Sequence, residues 1–178
     1  MHRYTRTAAA LMLAACTLGG AQAATLVSTQ AGGQQLAVVV AGSQIAVDLT
    51  LLQLGGSVSF EVALDAADVG QWLRFNAVIG NASGQGLEQL QLSLTGASFA
   101  WVGSVTPSFG ALASVAGDDT RQTLQFAPPE TYALDLGAPF AQAGTDDWLL
   151  APTGSQAGDR FTVMLSPVPE PGTGAMAL

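Results

Sequence analysis

Along most of the chain the apolar residues recur at every second position. Ile45, Val47, Leu49 and Leu51 share one parity, with Asp48 and Thr50 on the other. Val58, Phe60, Val62 and Leu64 repeat the pattern, and Ser57, Ser59 and Glu61 face away from them. Further runs are Leu73, Phe75, Ala77 and Ile79; Leu90, Leu92 and Leu94; Phe99 with Trp101; Leu124 with Phe126; Tyr132 with Leu134 and Leu136; and Phe161, Val163 and Leu165. A period of two is that of a strand with one buried face, whereas a helix would repeat every three to four residues. Turn-forming clusters separate the runs: "LGGS", "GNASGQG", "TPSFG", "AGDD", "APPE" and "APTGSQAGD". Gly, Asn, Asp, Ser and Pro supply the backbone conformations that tight turns need. Only "DAADVGQWLR", residues 65–74, has the composition for a single helical turn.

Many short strands, each with one apolar face, must cover that face, and a second sheet does so economically. The sequence therefore predicts an all-β domain, an antiparallel β-sandwich of jelly-roll or Greek-key type, over residues 24–165. From Ser166 the alternation stops and three prolines follow, so 166–178 reads as an extended Pro-rich tail.

The first 23 residues break the pattern in a different way. A short basic region with Arg3 and Arg6 precedes an apolar run from Ala8 to Leu18, then Gly-Gly and the small-residue site Ala21-Gln22-Ala23. This is the layout of a secretory signal helix cleaved by signal peptidase before Ala24. Leu13-Ala14-Ala15-Cys16 also resembles the lipobox of bacterial lipoproteins, with Cys16 as the lipidated residue. The cut before Ala24 is preferred, because it leaves an apolar run within the usual range of roughly 7 to 15 residues.

That cut changes the chemical picture. It removes Cys16 and His2, the single cysteine and the single histidine, and leaves a chain without Cys, His or Lys. Disulfides, structural zinc sites and nucleophile–histidine pairs are thereby excluded from the processed chain. Arg74, Arg121 and Arg160 stand against thirteen acids, a net charge of −10. Nucleic acid is not an expected partner, since binding it depends on Lys and Arg neutralising phosphates.

Val168-Pro169-Glu170-Pro171, within "SPVPEPGTGAMAL" and behind an N-terminal signal segment, resembles the sorting motif of the PEP-CTERM proteins. The resemblance implies export in a Gram-negative bacterium, processing by an exosortase-like enzyme, and association with exopolysaccharide in a surface or biofilm matrix. Members of the family follow the motif with a membrane-spanning helix and a basic cluster. Gly172–Leu178 provides only seven residues, where spanning a bilayer takes about 20. The expectation is an incomplete sorting signal, with the cell surface or medium as destination and the periplasm if the signal is inactive.

Candidate chemistry is sparse. Asp118-Asp119 and Asp146-Asp147 lie in Gly-bounded loops, where clustered carboxylates are candidate ligands for Ca²⁺. Neither stretch has the spaced pattern of a calcium loop, and Asp favours turns in any case. Trp148, Tyr132 and Trp72 are candidate glycan contacts, because an aromatic face meets the C–H surface of a sugar while adjacent acids take its hydroxyls. Trp148 directly follows Asp147; Trp101 shares the parity of Phe99 and is expected in the core. Asn81-Ala82-Ser83 matches a glycosylation sequon but reads as a turn. Among Glu61, Glu88, Glu130 and the Asp pairs no spacing selects a catalytic pair of the glycosidase kind. The expected function is that of a non-catalytic structural or adhesive matrix protein, with a carbohydrate-binding module as the alternative.

Overall fold

The structure, a computed structural model, describes residues 24–168. Thirteen strands follow in order: β1 (Thr25–Gln30), β2 (Gln35–Ala41), β3 (Gln44–Leu51), β4 (Val58–Ala63), β5 (Leu73–Asn81), β6 (Leu87–Thr95), β7 (Ala97–Trp101), β8 (Val105–Pro107), β9 (Leu112–Gly117), β10 (Arg121–Glu130), β11 (Ala133–Leu136), β12 (Trp148–Pro152) and β13 (Arg160–Val168). No described residue is helical. Residues 65–71 make consecutive turns instead, with Asp68 N donating to the Asp65 carbonyl and Gln71 N to the Asp68 carbonyl, both at 3.0 Å, and Leu73 and Arg74 begin β5. The predicted signal segment, with Ala21 and Ala23, and Pro169, Glu170 and Pro171 of the motif lie outside the described residues.

The strands form two sheets. One has the order β1-β4-β13-β6-β10-β9; the other runs β2-β3-β5-β11-β8, with β12 pairing β5 and β7 pairing β12. β3 occupies one edge of β5 from Arg74 to Asn81, so β12 and β11 share the other, at Leu73–Phe75 and Ala77–Gly80. The all-antiparallel expectation fails at one place: β3 and β5 are parallel. The chain leaves β3, contributes β4 to the first sheet and then returns, and such a crossover is what a parallel neighbour requires.

The alternation read from the sequence is the burial pattern of the inner strands. Ile45, Val47, Leu49 and Leu51 of β3, Phe60 and Val62 of β4, and Phe161, Val163 and Leu165 of β13 are all buried between the sheets. Each such side chain contributes roughly 1.5–3 kcal/mol by leaving water. A slip of one residue in register would turn the whole set outward, which fixes the pairing.

The domain also extends further than expected. Ser166, Pro167 and Val168 continue β13 and pair with Gln91, Leu90 and Gln89 of β6. Beyond Leu165 β13 no longer pairs with β4. A strand with one neighbour there tolerates Pro167, which has no N–H to give to a second. β13 therefore runs to Val168, into the motif, rather than ending at Leu165.

Candidate functional site

Trp148 opens β12 and is wholly buried. Its indole Nε1 donates to the Ser104 carbonyl at 3.0 Å, and its ring meets Phe99 edge-on at 5.5 Å. With no accessible ring face, Trp148 is an anchor of the core and not a glycan contact. The residue before it, on the opposite parity, therefore emerges on the outer face of the sheet.

That residue is Asp147, only 7% exposed. Its Oδ1 accepts from Asn76 Nδ2 at 3.2 Å and from Ala138 N at 2.9 Å, and its Oδ2 lies 3.0 Å from Arg74 Nε. One carboxylate thus ties the loop of residues 137–147 down onto β5. Two glycines permit the close fit. Gly137, at φ +73°, donates to the Ser104 carbonyl, and a Cβ there would stand 2.9 Å from Asn76 Cβ and 3.0 Å from Asp147 Oδ1. A Cβ on Gly103 would overlap the Asp146 carbonyl. Ser104 completes the link, since its N donates to the Asp146 carbonyl and its Oγ accepts from Asp146 N, each at 2.9 Å.

A bulge decides what faces this loop. In the β12–β7 pair Leu150 lies opposite Phe99, but Leu149 lies opposite Trp101, so Ala100 is an extra residue. An extra residue shifts the parity of everything beyond it. Phe99 therefore points inward beside the buried Leu150, while Trp101 turns out with Leu149 and is 57% exposed. This overturns the expectation that Trp101 is a core residue. Leu149 in turn is opposite Arg74, so Trp101, Leu149 and Arg74 form one row across three strands. With Asp146 and Asp147 they line an open groove of about 350 Å³. The guanidinium is held at Nε by Asp147, yet its side chain is 60% exposed. Its outer edge is presented to solvent beside an indole.

The other nominated residues do not join this groove. Trp72 and Tyr132 are exposed, at 62% and 65%, and line none of it; Trp72 precedes β5 at its Arg74 end, while Tyr132 stands beside Asn81, roughly 25 Å away at the rise of a strand. Tyr132 instead meets Phe109 edge-on at 5.7 Å. Asp118 closes the turn between β9 and β10: its Oδ1 accepts from Thr120 N, Thr120 Oγ1 and Arg121 N at 2.8–2.9 Å. The hydrogen bond from Thr120 N, then that from its hydroxyl and that from Arg121 N, hold its pKa below the usual Asp value. Asp119 lies beside it in the same exposed turn. Asp118–Asp119 and Asp146–Asp147 lie in separate turns, and among the described residues no three His, Cys, Asp or Glu side chains come together. Oδ1 of Asp118 and both oxygens of Asp147 are engaged by backbone and side-chain donors.

Glu130 is the second buried carboxylate that holds loops, and sequence reasoning had it only as one acid among several. It is 0% exposed. Oε2 accepts from Phe109 N and Gly110 N, and Oε1 from Tyr132 N and Ala133 N, at 2.7–3.1 Å. Burial alone would push its pKa up, but the four N–H donors together outweigh this and leave it below the ordinary value of 4.5. Asn81 of the sequon is likewise engaged, its Nδ2 donating to the carbonyls of Gln85 (2.7 Å) and Glu130 (3.0 Å).

No protein-family model, curated protein or solved structure matches the chain.

Proposed function

We propose that the protein is an exported, non-catalytic β-sandwich of the Gram-negative cell surface or extracellular matrix, sorted through its PEP-CTERM-like tail, and that it contacts exopolysaccharide through the Trp101–Arg74 groove. The observation that carries the glycan reading is the row of Trp101, Leu149 and Arg74 with Asp146 beside it. An exposed indole gives a flat apolar platform for a sugar ring, and a fixed guanidinium and a carboxylate alongside give a donor and an acceptor for its hydroxyls. A non-catalytic role is supported by the use of the buried acids: Glu130 lies outside the groove, Asp147 lies in its wall, and each is committed to several donors. A strand order that leaves one sheet and returns agrees with a Greek-key kind of sandwich.

The test is titration of the exported protein with exopolysaccharide from its own host, followed by calorimetry. Saturable binding that falls at least about fivefold on Trp101→Ala, and is unchanged on Tyr132→Ala, is expected if one stacked ring contributes roughly 1–3 kcal/mol, as base–aromatic stacking does. Equal loss from both variants, or none from either, overturns the groove as the contact.

A further inference from the structure

Sheet edges carry unpaired N–H and C=O groups, and soluble β proteins blunt them with charge, proline, bulges or brevity. Four edges among the described strands follow that rule. β1 has a bulge between Leu26 and Ser28. β9 has a register shift against β10 and runs into Asp118 and Asp119. β8 is three residues long and ends in Pro107. β7 is five residues long and carries the Ala100 bulge.

β2 breaks the rule. "QLAVVVA" pairs with β3 on one side through seven consecutive residues, Gln35↔Thr50 to Ala41↔Gln44, with no shift, and has no neighbour on the other. It contains no charge and no proline. Its outward face is mainly apolar: Val39 is 61% exposed and lines, with Ala37, Ala46, Val78 and Phe140, a shallow groove beside it in which Asp48 of β3 and Asn76 are the polar members.

We infer that β2 is a self-association edge, on which the β2 of a second copy adds in antiparallel fashion and joins the two seven-stranded sheets into one. The charge distribution selects a second copy as the occupant. Two molecules that each carry about ten negative charges repel, and they do so least where they present none. Ala24 to Val47 is 24 residues without a single charged side chain, and β1 and β2, the edges on this flank, both come from it. The strand is also self-complementary. Full overlap on a two-fold axis sets Val38 opposite its own copy, Leu36 opposite Val40 and Ala37 opposite Val39, so every cross-strand pair within is apolar. The inference stands independently of the glycan groove, which lies at β5, β12 and β7.

Sedimentation of the exported protein over a range of concentration and salt tests it. A concentration-dependent dimer that strengthens with added salt is expected, because salt screens the net repulsion. Val39→Glu, at a position exposed in the single chain, sets a new negative charge in line with Asp48 of the second copy and should weaken the dimer at least about tenfold. Leu112→Glu on β9 should leave it unchanged. Amide exchange supplies a second reading: β2 amides should be slow in the dimer and fast in the Val39→Glu protein. A wild-type monomer at all concentrations, or a dimer lost on Leu112→Glu and kept on Val39→Glu, overturns the proposal. So does β2 protection that is independent of concentration and vanishes when residues 169–178 are removed, since the chain's own tail would then be the occupant.

Discussion

The charge-free flank and the loop-bearing end of the second sheet solve the same problem with different groups. At the flank, the turn from β1 to β2 is held by a neutral amide: Gln34 Nε2 donates to the Gln53 carbonyl at 2.9 Å, and its Oε1 accepts from Leu52 N at 2.6 Å. In the loops around β8, β11 and β12 the work falls to Glu130 and Asp147. The difference lies in what converges. An amide has one accepting oxygen and one donating nitrogen, whereas four N–H groups arriving in two pairs at Glu130 need two accepting oxygens. Charge is therefore drawn to the loops, and β1 and β2 themselves are left without any.

The largest effect is expected where most donors converge. Glu130→Gln keeps the shape but sets an NH₂ against two of the four N–H groups, which should cost roughly 3 kcal/mol at the usual penalty for unsatisfied buried donors. Urea unfolding of the variant checks this, and a loss below 1 kcal/mol by the same reasoning would mean that the loops do not depend on the carboxylate. Asp147→Asn should cost less, about 1 kcal/mol, because Arg74 is largely exposed and solvent replaces much of the pair. The amide oxygen still accepts from Asn76 and Ala138, but Arg74 is released, so glycan affinity should fall more than stability does. A variant that binds as the parent does would separate Arg74 from the site.

The smallest effect expected is the dependence on pH, and it has a definite sign. Glu130 has a lowered pKa in the fold, so its contribution is present above 4.5 and is lost as pH falls through the folded value. Asp118 acts in the same direction from 3.8 downward. Asp135, raised by burial, works oppositely: its contribution is present below 3.8 and is lost as pH rises through its folded value. Amide exchange at descending pH should therefore show protection lost first at Phe109, Gly110, Tyr132 and Ala133, with the β2–β3 ladder unaffected. Simultaneous loss at both places would erase the contrast between flank and loops.

The alternation of Ile45 to Leu51, Val58 to Leu64 and Phe161 to Leu165 was legible because these strands are central, and each one-residue step changes a side chain from buried to exposed. β1 and β2 were not legible by that means. "TLVSTQ" is exposed throughout, and the consecutive valines of "QLAVVVA" carry no alternation because an edge buries little of either face. The parity of Phe99 and Trp101 was correct along the strand and wrong in space, since a bulge is a property of the pair β7–β12 and not of either strand alone. Trp148 was misread for a related reason: adjacency to Asp147 places the two on opposite faces, so the carboxylate in the groove wall leaves the indole in the core.

The sequence by itself determined the strand period, the all-β class, the absence of Cys, His and Lys after Ala24, and the charge-free stretch, because each is a local or compositional property. Only the tertiary structure decided that β3 and β5 run parallel, that Ala100 turns Trp101 outward, that Glu130 and Asp147 hold loops, and that β2 ends a sheet. Each of these depends on which distant segment lies alongside, and pairing across a sheet joins residues whose separation along the chain carries no signal of its own.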